Sequence, residues 1–162
     1  MTSDSLPRRS SNAKANNPFR ALLGIEVTEI GTGMATVTIN PVSPLLRQGR
    51  GIVHGGVYAT LVDCAAGEAL RTVMRDEEEG YTVDLNVTYI RPVVDLALVA
   101  HGRSLRCGRS VGVAAADIFD GSGALVATGR ATFALRPRGE QLRPLGKTRT
   151  SPGSTSRSKA TP

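Results

Sequence analysis

The stretch that most constrains this chain is 53–75, VHGGVYATLVDCAAGEALRTVMR. It predicts one long helix entered through His54-Gly55-Gly56. Val57, Leu61, Val62, Ala65, Ala69 and Leu70 spread apolar surface round most of its circumference. A helix apolar on nearly all sides is a buried one. Asp63 stands in the middle of that run. A buried, unpaired carboxylate is costly, so it needs a partner, a raised pKa or a chemical task. No Lys or Arg lies three or four residues to either side, which excludes a local ion pair. The glycine-rich start gathers backbone N–H groups that point at negative charge. A carboxylate and an N–H donor site are both wanted for attack on a carbonyl.

The rest of the chain reads as sheet. Residues 19–23 form a short helical turn ended by Gly24. Apolar and polar residues alternate over 25–30 and 34–39, either side of Gly31-Thr32-Gly33, which predicts a hairpin. Residues 43–53, with Gln48, Gly49 and Gly51, form a loop leading to His54. The acidic run 75–80 reads as a solvated loop after the helix. In 82–90, Val83, Leu85, Val87 and Tyr89 share one face of a strand, and Asp84, Asn86 and Thr88 the other. Further strands are expected at 96–105, 110–119 and 125–135. The class is α+β, one helix against one antiparallel sheet. A single sheet covers only one side of a helix, so this one calls for a second cover, a partner subunit.

Composition matters here mainly through the placement of charge. The net charge is +6. Residues 1–17 carry 3 Lys/Arg against 1 Asp/Glu, 138–162 carry 6 against 1, and 18–137 carry 11 against 12. The folded part is therefore near neutral, and the tails, expected to be disordered, hold the excess. A nucleic-acid partner is not expected, since aromatics are few and Trp is absent. Cys64 and Cys107 have no zinc spacing, and only His54 and His101 could join them, so no metal is expected. They read as reduced core thiols. No apolar run is long enough for a membrane span and the N-terminus lacks a signal-peptide core, so a cytoplasmic protein is expected.

Spacing limits the chemistry. Glu68 lies about 140° round the helix from Asp63 and is expected to face solvent or an interface. His54 reads either as a general base or as a residue satisfying loop carbonyls at the helix start. Cys64 and His54 are ~15 Å apart along the axis, which excludes a thiol–imidazole pair within one chain. Asp63 and Gly55 are ~12 Å apart, so they can meet at one carbonyl only if they come from different subunits. The glycines match no phosphate-binding loop.

The run His54-Gly55-Gly56, six residues, Asp63, then Thr82-Val-Asp-Leu-Asn-Val-Thr-Tyr-Ile-Arg-Pro resembles the hotdog-fold acyl-CoA thioesterases, the superfamily of the phenylacetate-pathway and 4-hydroxybenzoyl-CoA enzymes. The resemblance covers residues 18–137. It implies a long central helix wrapped by an antiparallel sheet, and chains paired edge to edge as homodimers that stack into dimer-of-dimers tetramers. It also implies active sites at the dimer interface. Asp63 would be the catalytic carboxylate, Gln48 would lie near the thioester, and the Gly55 N–H would polarise its carbonyl. Thr82 would position water. His54 would stand with Gln48 and Gly55, facing Asp63 and Thr82 of the partner subunit. Gly67 stands where some members carry Ser or Thr. Asp63 could act as general base or attack directly to give an anhydride. No cofactor is needed. Gly56 and Arg91, Arg106, Arg109 and Arg136, at strand ends or turns, are candidates for binding the CoA portion of an acyl-CoA substrate. Three other readings remain open. A silent acyl-CoA-binding protein would not need Asp63. A hydratase fits the spacing poorly. A nucleic-acid module would rest on the tails alone.

Overall fold

The computed structural model describes residues 17–94 and 97–140. Along the chain come α1 (Pro18–Leu23), β1 (Ile25–Gly31), β2 (Met34–Ile39), a 3-10 turn (Pro44–Leu46), α2 (Gly55–Arg71), β3 (Glu78–Tyr89), β4 (Leu98–Cys107), β5 (Val111–Asp120) and β6 (Leu125–Pro137). The tails expected to be disordered fall outside the described residues, apart from residue 17 and residues 138–140.

The six strands form one antiparallel sheet in the order β1-β2-β4-β5-β6-β3. This is the hotdog arrangement, with α2 lying across the inner face against all six strands. The helix comes close because both surfaces are small where they touch. A Cβ added at Gly102 of β4 would collide with the Ala65 carbonyl, one at Gly112 of β5 with Leu70, and one at Gly129 of β6 with Val62. Ala65, Ala66 and Ala69 are fully buried there. Leu61, Val62, Leu98 and Ile118 are wholly buried around them, each contributing about 2 kcal/mol of transfer free energy.

Local chemistry sets the ends of the elements. The Asn17 side chain caps α1, and Gly24 closes it in the left-handed conformation. The helix expected over 53–75 is shorter at both ends. His54 is extended and serves as its N-cap. At the other end, the Thr72 hydroxyl donates to the Ala69 carbonyl at 2.8 Å and accepts the Gly33 N–H at 2.6 Å, tying the last turn to the β1–β2 turn. The acidic run is not all loop. β3 already begins at Glu78, because Glu78 and Glu79 lie opposite Pro137 and Arg136 of β6.

β3 is an edge strand, with β6 its one neighbour among the described residues. Its alternation breaks once, at a bulge between Thr82 and Asp84. Leu85, Val87 and Tyr89 lie opposite Ala131, Gly129 and Ala127, as the period of two predicts. Val83 leaves that set and is 62% exposed. Thr82 takes its place on the inner face, opposite Phe133.

Candidate active site

The bulge brings Thr82 to Asp63. The Thr82 hydroxyl donates to the Asp63 carboxylate at 2.7 Å within the same chain. Asp63 is half-buried rather than sealed, on the side of α2 that faces the open sheet edge. The partner that a carboxylate on an apolar helix requires is therefore a neutral hydroxyl. Asp63 accepts that hydrogen bond through Oδ1, and its Oδ2 has no hydrogen bond among the described residues.

At the start of α2 the groups are ordered tightly. The His54 Nδ1 accepts the Gly56 N–H at 3.0 Å, and the His54 carbonyl accepts the Val57 N–H at 2.9 Å. An accepting Nδ1 places the ring proton of neutral His54 on Nε2. The ring thus caps the start of α2 by accepting a backbone N–H, where the sequence reading has it satisfying loop carbonyls. The Gly55 N–H is the first-turn donor left without an acceptor among the described residues. Gln48 precedes it on a tight loop: its N–H donates to the Ile52 carbonyl at 2.8 Å and its carbonyl accepts the Gly51 N–H at 2.9 Å. The His54 N–H closes this loop on the Leu46 carbonyl. Gln48, His54, Gly55 and Gly56 therefore sit together at one end of α2, and Asp63 and Thr82 sit together further along it. Within the chain the two groups do not meet.

The four arginines do not form one cluster. Arg91 follows β3 at the Gly55 end, and its charge reaches Asp120. Arg106 ends β4, Arg109 lies in the β4–β5 turn and Arg136 is opposite Glu79, all towards the other end of α2. All four are exposed.

Glu68 corrects an expectation. It does not face solvent but is 2% exposed, accepting from Arg20 of α1 at 2.5 Å, with Arg71 at 3.5 Å. Burial works against the Arg20 charge, but Cys64 and Glu68 outweigh it and hold its pKa above the usual guanidinium value. Burial pushes the Cys64 thiol up, which suits a core thiol. Cys107 is only half-buried. Ala65 and Ala66 face the sheet, where their small size lets the helix pack closely. Among the described residues no cluster of His, Cys, Asp and Glu could hold a metal ion, and no helix is long and apolar enough to cross a membrane.

Tyr89 was missed from sequence. Its hydroxyl donates to the Gly55 carbonyl at 3.2 Å, and its ring packs edge-on against Tyr58, centroids 5.9 Å apart. The alternation of β3 placed it on the inner face, but nothing in the sequence indicated which turn of α2 it would touch.

Residues 50–127 match the thioesterase superfamily. A Halobacterium salinarum protein named as a candidate esterase is 36% identical over 123 residues, spanning 70% of this chain and 81% of that one. The medium/long-chain acyl-CoA thioesterase YigI of Salmonella typhimurium is 29% identical over 131 residues, spanning 72% and 84%. A Haemophilus influenzae thioesterase of known structure superposes with a TM-score of 0.74 at 25% identity, covering 82% of this chain and 92% of that one. The chain belongs to the hotdog-fold thioesterase superfamily. Thioester hydrolysis is the chemistry of that class.

Proposed function

We propose that this protein hydrolyses acyl-CoA or aryl-CoA thioesters to the free acid and CoA, in sites shared between two subunits. The observation that carries the reading is the Thr82–Asp63 hydrogen bond beside the open edge of β3. It holds a carboxylate with one free oxygen where a second chain would join the sheet. Asp63 lies eight residues beyond the unpartnered Gly55 N–H, ~12 Å along the helix. The sheet of one chain already buries the apolar residues of α2, so the second cover expected for the helix is not needed. Pairing of two β3 edges would instead cover Leu85 and Tyr89, exposed on that strand, and would bring the Gly55 end of one chain to Asp63 of the partner subunit. Stacking of such homodimers into tetramers is part of the same reading. The relative named as a medium/long-chain acyl-CoA thioesterase supports the substrate class.

In this site the thioester oxygen faces the Gly55 N–H at the positive end of α2. Asp63 of the partner subunit takes a proton from water through Oδ2 while the water oxygen attacks the carbonyl carbon. The carbonyl electron pair moves onto oxygen, where the helix-start donor stabilises it. Its return breaks the C–S bond, and the CoA thiolate takes up the proton. Direct attack by the same carboxylate would pass through an anhydride instead. Gln48 and His54 line the Gly55 side. Arg91, exposed on that side, is the arginine best placed for the CoA phosphates.

The test is a panel of acyl-CoAs from short-chain through long-chain to benzoyl and phenylacetyl, with free CoA followed by a thiol reagent. The wild type is expected to turn over and Asp63→Asn to lose ~10²-fold or more in kcat. Absence of CoA release with a raised melting temperature would make the protein a binder and overturn the mechanism.

A further inference from the structure

We infer that Tyr89 is a positioning residue for the oxyanion donor, holding the helix start so that the Gly55 N–H points at the substrate; this rests on the thioesterase reading above. Glycine is the most mobile residue type, and Gly55 and Gly56 put two in succession at the helix start. Here the peptide that joins them is gripped at both ends. Its N–H, from Gly56, donates to His54 Nδ1, and its C=O, from Gly55, accepts the Tyr89 hydroxyl. The Gly55 N–H lies in the preceding peptide, whose His54 C=O accepts the Val57 N–H at 2.9 Å, so with the next plane also fixed it has little freedom to turn. The His54 grip accounts for the second glycine, while the Tyr89 ring stands at ordinary contact distance from a Cβ at the first. A Cβ on Gly55 would stand 3.4 Å from the Tyr89 ring, and one on Gly56 would stand 3.1 Å from His54 Nδ1.

Tyr89 is suited to the task by its seat. Its ring stands edge-on against Tyr58, which is itself buried in α2, with an interplanar angle of 88°. The aromatic pair sets the ring, and the ring sets the hydroxyl. Within the chain, Tyr89 has no hydrogen bond to Asp63 or Thr82 among the described residues.

The experiment is a double-mutant cycle with acyl-CoA substrate, measured on the full chain. Tyr89→Phe keeps the ring and its stacking and removes only the hydroxyl. It is expected to lower kcat about 5- to 10-fold, the worth of one hydrogen bond, with KM and melting temperature unchanged. Gly55→Pro removes the donor itself. In that background Tyr89→Phe is expected to cost nothing further, because no N–H remains to be aimed. Equal losses in both backgrounds, or a loss confined to KM or to melting temperature, would assign Tyr89 a purely structural role and overturn the inference. Wild-type turnover with an inactive Asp63→Asn and an unimpaired Tyr89→Phe removes this inference and leaves the thioesterase reading standing. A wild type that hydrolyses no acyl-CoA removes both.

Discussion

Thr82 reaches the Asp63 carboxylate at 2.7 Å because β3 carries one residue too many at Val83. Strict alternation from Tyr89 would send Thr82 outward with Asp84. The bulge turns it inward, and bulges of this kind re-aim side chains next to functional sites. The hydroxyl fixes one carboxylate oxygen and leaves the other free.

Thr82→Val, which keeps shape and loses the hydroxyl, is expected to lower kcat by roughly 10- to 100-fold through misplacement of Asp63. Thr82→Ser should retain most of the activity. Steady-state kinetics with one acyl-CoA checks both, and a Val variant as fast as wild type would remove Thr82 from the mechanism.

Gly55→Pro tests the donor directly. Proline is well tolerated at the first helical position, and His54 before it already has the extended backbone that precedes proline. The substitution therefore removes one N–H with the helix kept. Loss of an oxyanion donor costs about 10²–10³ in kcat. Circular dichroism should be unchanged. An active proline variant would mean that another group faces the oxygen.

If each site takes Gly55 from one chain and Asp63 from the other, two inactive variants should rescue one another. Asp63→Asn and Gly55→Pro, unfolded and refolded together in equal amounts, give heterodimers with one intact site each. With random pairing about a quarter of wild-type activity should return. A site built within one chain would return none.

Much of this is legible in residues 53–75. The apolar circumference of the helix, its lone carboxylate and its glycine start point to the class of fold, and the ~12 Å of helix between Asp63 and Gly55 calls for two subunits if both act on one carbonyl. What escapes the sequence depends on packing. A bulge leaves no mark there beyond a period that fits on only one side of it. The sequence shows the small size of Ala65 and Ala66 but not Gly102 of β4, against which they pack. Glu68 reads as facing solvent or an interface because its partner, Arg20, lies 48 residues away on another helix.

That pairing leads to a prediction about stability. The Glu68 side chain is 3% exposed and Arg20 13%, so the pair is largely desolvated. It fastens α1, which buries no residue of its own, to α2. Removing one member of a buried pair strands the other charge, at a cost of about 3–5 kcal/mol. Glu68→Ala should therefore shift the urea unfolding midpoint markedly downwards. Arg20→Met with Glu68→Leu, which replaces both charges by apolar groups, should recover most of that loss. Neither residue touches Asp63 or Gly55, so kcat per folded molecule should stay close to wild type in the double variant. A Glu68→Ala midpoint equal to wild type would show that the bridge does not hold α1 in solution.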